Sequence, residues 1–180
     1  PLNDEEISLL KEYLEAGGKL FLSSAYLLVN PTESAKRFAQ NYLGIKDWQD
    51  NHYAVRYVFG TDHPASLGIG KRKVSLVNYY PLHPRNVALT PVSSAQVIFK
   101  NLWDNPVMIQ YSPDSRYGVI FSSFGIEHFD RAIMLSGLFK NLFNSFLYQG
   151  GEPFVYSISP YFSRSRNPRL TLTISGYNLK

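Results

Sequence analysis

The chain has 180 residues, 44% hydrophobic and 15% aromatic, enough to bury one core and too apolar for a disordered segment. Eighteen Lys and Arg against 14 Asp and Glu leave a formal +4, but the basic residues are scattered. The tightest groups, Lys71-Arg72-Lys73 and Arg164/Arg166/Arg169, read as solvated loop residues, so no nucleic acid is expected as a partner. Cysteine is absent, which excludes thiol nucleophiles, thiolate metal sites and disulfides together.

Asn3 and Glu6 make a capping pair ahead of Ile7, Leu10 and Leu14, which recur at helical spacing and predict a first helix to about Ala16. Gly17-Gly18 supplies the left-handed residue that ends it, and Lys19 to Ser23 reads as a strand leaving directly from that joint. A second helix is predicted from about Thr32 to Leu43, with Phe38, Tyr42 and Leu43 inward and Gly44 as its stop. Short strand-like runs follow at Tyr53 to Phe59, Lys73 to Val77, Gln96 to Phe99, Val107 to Tyr111 and Tyr117 to Ser122. The last three are too closely spaced for helical crossovers, so they predict an antiparallel meander joined to a parallel part of the sheet. A long apolar helix, capped by Asp130 and ended by Gly150-Gly151, comes next. Lys140, Asn141 and Asn144 within it argue for a packed helix and against a membrane span. Beyond it, Pro153, Pro160 and Pro168 punctuate two alternating runs, Phe154 to Ile158 and Leu170 to Ile174. The expected division is therefore an α/β domain over 1–150 and a β segment over 151–180. Because the chain opens on a helix that reads as the second half of a crossover, strands preceding Pro1 are expected.

Several of these stretches, in this order, carry a resemblance. They are Leu9 to Ser24 (LLKEYLEAGGKLFLSS), Phe38 to Ile45 (FAQNYLGI), Val58 to Pro64 (VFGTDHP) with Gly68, Tyr79-Tyr80-Pro81 with Asn86 to Pro91, and Tyr117 to Glu127 (YGVIFSSFGIE). Together they resemble the class I glutamine-amidotransferase-like, flavodoxin-type domain of secreted multidomain proteins, over roughly residues 2 to 148. The resemblance implies a flavodoxin-like α/β sheet with flanking helices, lacking its N-terminal strands here. In active members of that family a cysteine follows the strand after the helix, and a later strand ends in His-Pro-Glu. Carried onto this chain, the cysteine position falls at Ser24 or Ser23, the histidine position at Ser122 or Ser123, and the glutamate near Glu127. A serine nucleophile needs a base, and the position that would supply it holds serine. His128 adjoins Glu127 but points in a different direction, and Leu22-Ser23-Ser24-Ala25 lacks the glycines of a nucleophile elbow. Ser24, Ser23, Glu127 and His128 are thus vestigial candidates, and the plainer role for the serines is to cap backbone at a strand end.

The tail has a resemblance of its own. PFVYSISP (Pro153 to Pro160) followed by LTLTISGYNL (Leu170 to Leu179) is similar to the opening strands of the IPT/TIG type of immunoglobulin-like domain. The alternative is that these strands extend the edge of the preceding sheet. His52, His63 and His83 have no metal-binding spacing, and no cofactor motif is present. Asp62-His63 with Gly60, Gly68 and Gly70 reads either as a loop over the carboxyl edge of the sheet or as a capped turn. Trp48, Trp103, Tyr79 and Tyr80 offer stacking surfaces for sugars, or simply packing.

These readings combine into one expectation: a non-catalytic structural or interaction module of a larger secreted or cell-surface protein. Its partners would be other domains of the same polypeptide or protein partners. The alternatives are a hydrolase, serine-based or with catalytic residues upstream of Pro1, and a carbohydrate-binding module.

Overall fold

Asn3 opens the first helix as its composition demands. Its side-chain oxygen accepts the Glu6 N–H at 2.9 Å, while the Glu6 carboxylate accepts the Asn3 N–H at 2.8 Å. The computed structural model describes residues 2–24, 26–51, 57–66, 74–75, 86–113, 116–126, 129, 132–142, 144, 154–159 and 173–177. Helix α1 spans Asp4–Glu15 and ends where Gly17 takes φ +92°, a conformation that disfavours any side chain. The Gly17 and Gly18 N–H groups then donate to Leu14 and Tyr13 carbonyls, each at 2.9 Å. The Tyr13 hydroxyl closes the joint by donating to the Lys19 carbonyl at 3.0 Å and accepting the Lys19 N–H at 3.1 Å. Strand β1, Lys19–Ser23, leaves from there.

Helix α2, Glu33–Tyr42, is capped by Thr32, whose hydroxyl accepts the Ala35 N–H at 3.2 Å. Gly44 at φ +71° turns the chain into β2, Ile45–Asn51. The strands β3 (Tyr57–Gly60), β4 (Val74–Ser75), β5 (Asn86–Pro91), β6 (Gln96–Asn101), β7 (Pro106–Tyr111) and β8 (Gly118–Ser122) follow, with a 3-10 turn at Pro64–Ser66. Helix α3 spans Ala132–Leu142. Strands β9 (Phe154–Ser159) and β10 (Thr173–Tyr177) pair with each other, antiparallel.

The main sheet has six strands in the order β1-β8-β7-β6-β3-β4, and β2 pairs antiparallel with β5 as a separate ribbon. This corrects the expected flavodoxin-like sheet. Only β1 and β8 run parallel; β8-β7, β7-β6, β6-β3 and β3-β4 are all antiparallel. Among the described residues there are three α-helices against ten strands. The reason is chain length between strands. The β6–β7 and β7–β8 connections have room for turns alone, and a parallel neighbour needs a dozen or more residues of crossover. The predicted meander thus takes over the sheet and is no appendage to a parallel one.

Both faces of this mixed sheet are covered. On one, Ile7 and Leu14 of α1, Ala35, Phe38 and Ala39 of α2, and Val87 and Leu89 of β5 pack with Ile109, Val119 and Phe121. On the other, Leu138 and Leu142 of α3 pack with Ile98, Phe99, Met108, Ile120 and Phe124. Alternation along β1 and β8 serves the two cores in turn: Leu20 and Leu22 face the first, Phe21 the second. Between β6 and β7 the alternation breaks. Val97 pairs with Ile109 and Phe99 with Met108, so Ile98 is an extra residue on β6. Lys100 then pairs with Pro106, leaving Val107 extra on β7. Each bulge sends two neighbours, Ile98-Phe99 and Val107-Met108, into the α3 core.

At Gly44 a close approach and a positive φ coincide. A Cβ there would lie 2.4 Å from Cγ of the Tyr111 ring, on top of the positive φ, whereas at Gly17 the nearest atom is the Arg116 carbonyl at 3.3 Å. Gly44→Ala is expected to cost at least about 2 kcal/mol and lower Tm by roughly 5 °C or more, and Gly17→Ala about half of that. Thermal unfolding of the two variants side by side checks the order.

Candidate functional site

Parallel pairing of β1 with β8 sets Ser23 opposite Ser122, so the two serine pairs singled out in the sequence meet at one end of the sheet. The Ser24 N–H donates to the Ser122 carbonyl at 3.0 Å and extends the ladder by one residue. Glu127 and His128 lie outside the described residues.

Each hydroxyl at this edge is engaged with main chain. Ser23 Oγ donates to the Phe124 carbonyl at 2.9 Å and accepts the Ile126 N–H at 3.1 Å. Ser122 Oγ donates to the same carbonyl at 2.7 Å. Ser123 Oγ lies 2.7 Å from the Val87 carbonyl and 3.1 Å from that of Val107, so it ties the β5 ribbon to the main sheet. Ser24 Oγ accepts the Leu27 N–H at 3.1 Å and, more weakly, the Tyr26 N–H at 3.4 Å, which caps the turn after β1. Ser122 and Ser123 are buried, and Ser23 and Ser24 half-buried. Activating a serine requires a base that takes its proton. Among the described residues, no His, Asp or Glu side chain hydrogen-bonds Ser23 or Ser24.

The described histidine sits elsewhere. Thr61 follows β3 and bonds to Val97 and Ile98 of β6, which places the Thr61–Ser66 turn toward the Gln96 end of the sheet. The serines border the opposite end, a strand length or roughly 17 Å away along the strands and three or four strands across. Asp62 and His63 thus stand just past β3, at the end of the sheet where β1 and β8 begin but three or four strands across from them. Gly68 and Gly70 lie outside the described residues. His63 is 8% exposed, and its Nδ1 accepts the Ala65 N–H at 3.1 Å, so the ring's proton is on Nε2. Ser66 Oγ bridges the Thr61 and His63 carbonyls at 2.8 and 2.9 Å, and Asn141 Nδ2 of α3 donates to the Ala65 carbonyl at 3.3 Å. Burial pushes His63 below its ordinary value, with a bond to Gln96 acting in the opposite direction.

Sequence reasoning passed over a tyrosine cluster beneath α2. Tyr42 stacks on Phe38, Tyr117 packs edge-on to Tyr111, and the Tyr42 hydroxyl donates to Glu15. Burial first, then neighbouring Tyr111 and Tyr42, raise Tyr117 to about 12. It stays neutral across the physiological range, and its hydroxyl donates to the Asn41 carbonyl at 3.3 Å. The signals in the sequence were the inward place of Tyr42 on the second helix and the count of 13 tyrosines.

Among the described residues, no group of three or more His, Cys, Asp or Glu converges as a metal site. His52, His83, Tyr79 and Tyr80, and the two basic clusters, lie outside the described residues. Trp48 packs against the core under α1 and α2, while Trp103 stands 53% exposed at the tip of the β6–β7 hairpin. No helix among the described residues is long and apolar enough to cross a membrane.

No protein-family model matches the chain, and no curated protein matches it. Among solved structures, it is similar to the cytoplasmic protein STM3548 from Salmonella typhimurium, with TM-score 0.51 and 13% identity over 78% of this chain and 60% of that one. It also matches a polyextremophilic β-galactosidase from the Antarctic haloarchaeon Halorubrum lacusprofundi, with TM-score 0.48 and 10% identity over 78% of this chain and 20% of that one. The chain thus spans three-fifths of the first and a fifth of the second, and at 13% identity the likeness to the first is one of fold.

His63 makes the fold sensitive to acid. The unfolded chain binds a proton at about its ordinary value of 6.5, and the folded chain resists it. The stability this neutral ring contributes is present above pH 6.5 and is lost as pH falls towards the lowered folded value. Urea midpoints between pH 7.5 and 5 should therefore fall more steeply in the wild type than in His63→Gln.

Proposed function

We propose that this chain is a non-catalytic structural or interaction module of a larger secreted or cell-surface protein, with a degenerate site of amidotransferase type. One observation carries the reading: Ser23, Ser24, Ser122 and Ser123 spend their hydroxyls on main-chain hydrogen bonds that close the β1/β8 edge. A hydroxyl that holds a turn together has been recruited to stability, since removing it strands a backbone group at about 1 kcal/mol or more. Its partners are other domains of the same polypeptide or other proteins, and it takes no nucleic acid. The IPT/TIG-like order of Pro153 to Pro160 and Leu170 to Leu179 supports a multidomain setting. The secreted or surface location rests on that setting and on the cysteine-free composition.

The test is direct. The protein is incubated with a fluorophosphonate probe, and separately with glutamine, p-nitrophenyl acetate and a casein peptide. No labelling and no turnover above blank are expected, and Ser24→Ala should lose only about 1 kcal/mol of stability. Turnover that disappears in Ser24→Ala would overturn the reading in favour of a serine hydrolase.

A further inference from the structure

Strand β1 stands at the end of the main sheet, and among the described residues no strand pairs with its outer side. The ladder to β8 uses the Gly18 carbonyl, which accepts the Gly118 N–H at 3.3 Å, and the Ser24 N–H. In a parallel ladder successive residues alternate sides, so residues 18, 20, 22 and 24 serve β8 while Lys19, Phe21 and Ser23 direct their N–H and C=O groups outward. At Lys19 both outward groups are taken by the Tyr13 hydroxyl, which does there what a neighbouring strand would do. At Phe21 and Ser23, no backbone partner stands on that side among the described residues.

Beyond Lys19 at its first position, β1 lacks the usual guards of an edge. It contains no proline, its register with β8 has no bulge, and no charged side chain lies between Lys19 and Ser23. Its side chains are apolar on both faces, with Leu20 and Leu22 toward one core and Phe21 against Phe139 of α3 at 6.0 Å between ring centroids. That is the pattern of a strand interior to a sheet. The opposite edge, β4, is by contrast two residues long among the described residues. Beside the open edge, Leu9 and Tyr13 share one face of α1 at i, i+4 and are 60% and 49% exposed, so the apolar surface continues past β1.

We infer that the outer edge of β1 is the docking site for one further β-strand, supplied by the larger protein proposed above and paired through Phe21 and Ser23. Its chemistry follows from its surroundings. It is apolar on both faces, one lying under Leu9 and Tyr13 of α1. It also carries lysine or arginine on that side, because Glu5, Glu6 and Glu12 flank the Leu9–Tyr13 stripe of α1, whereas Asp4 and Glu15 are turned to Ser34 and Tyr42 of α2. The same charge disfavours a second copy of this chain as the occupant, since symmetric β1–β1 pairing would bring two acidic helices together.

The inference rests on the module reading, and amide hydrogen exchange followed by NMR tests it separately. In the chain alone, Phe21 and Ser23 amides should exchange at least tenfold faster than those of Leu20 and Leu22. The probe is a seven-residue peptide of alternating isoleucine and valine between terminal lysines. It should slow Phe21 and Ser23 at least tenfold and leave Leu20 and Leu22 unchanged, and the same peptide N-methylated along one edge should have no effect. No slowing at Phe21 and Ser23 overturns the inference. So does slowing that grows with protein concentration without peptide, which would assign the edge to a second copy. Turnover dependent on Ser24 would instead overturn the module reading and leave the exchange result standing.

Discussion

Everything between α1 and α3 hangs on the parallel register that sets Lys19 opposite Gly118 and Ser23 opposite Ser122. All five residues of β8 are buried, so this strand reaches no water on either face and must be covered from both. That requirement explains the layers. Val119 and Phe121 demand the cover of α1, α2 and the β2–β5 ribbon, and Ile120 demands α3. Truncating a fully buried phenylalanine such as Phe121 would cost about 3–5 kcal/mol, a large share of the stability of any domain of this size. The short joint at Gly17-Gly18 belongs to the same constraint, since it drops β1 into register directly from the helix that covers it.

The end of that parallel pair is where an α/β protein would place a reactive group, and here it is occupied by four hydroxyls. Their geometry is economical. The Phe124 carbonyl receives two of them, from Ser23 and Ser122, and Ser123 reaches across to β5. A hydroxyl so placed is short enough to satisfy backbone where the ladder stops and small enough to be buried without a partner side chain. The same smallness that lets a serine serve as nucleophile thus serves packing, and the partners decide between the two roles. At Ser23 and Ser24 those partners are carbonyls and amides.

The parts of the fold legible in the sequence were those determined within a few residues. Asn3 with Glu6, Thr32, Gly17 and Gly44 act on their own neighbours, and they bounded α1, β1 and α2 correctly. The β6–β7–β8 meander was legible because its connections leave no other option. Strand β2 was not, for Ile45–Asn51 reads IKDWQDN, a polar run whose strand character comes from pairing with β5 about 40 residues later. The predominance of antiparallel pairing escaped for the same reason: orientation is settled by partners, and the leading αβ unit suggested the opposite. At the site, the sequence gathered Ser23, Ser24, Ser122 and Ser123 as positions of interest. Backbone capping was the plainer expectation for Ser23 and Ser24, but the groups these hydroxyls take could not be read, since that depends on where Phe124, Val87 and Val107 lie.

The two bulges between β6 and β7 have a consequence for how this sequence can change over time. Ile98 is surplus on one strand and Val107 on the other, and because the surpluses are equal the ladder regains its phase by Lys100 and Pro106. Loss of either residue alone would put one strand out of step with the other and turn inward side chains outward beyond that point. Loss of both would leave a plain ladder with a thinner core against α3. Length in this hairpin is therefore inherited as a linked pair, and a lineage in which one strand has shortened should carry the matching deletion in the other.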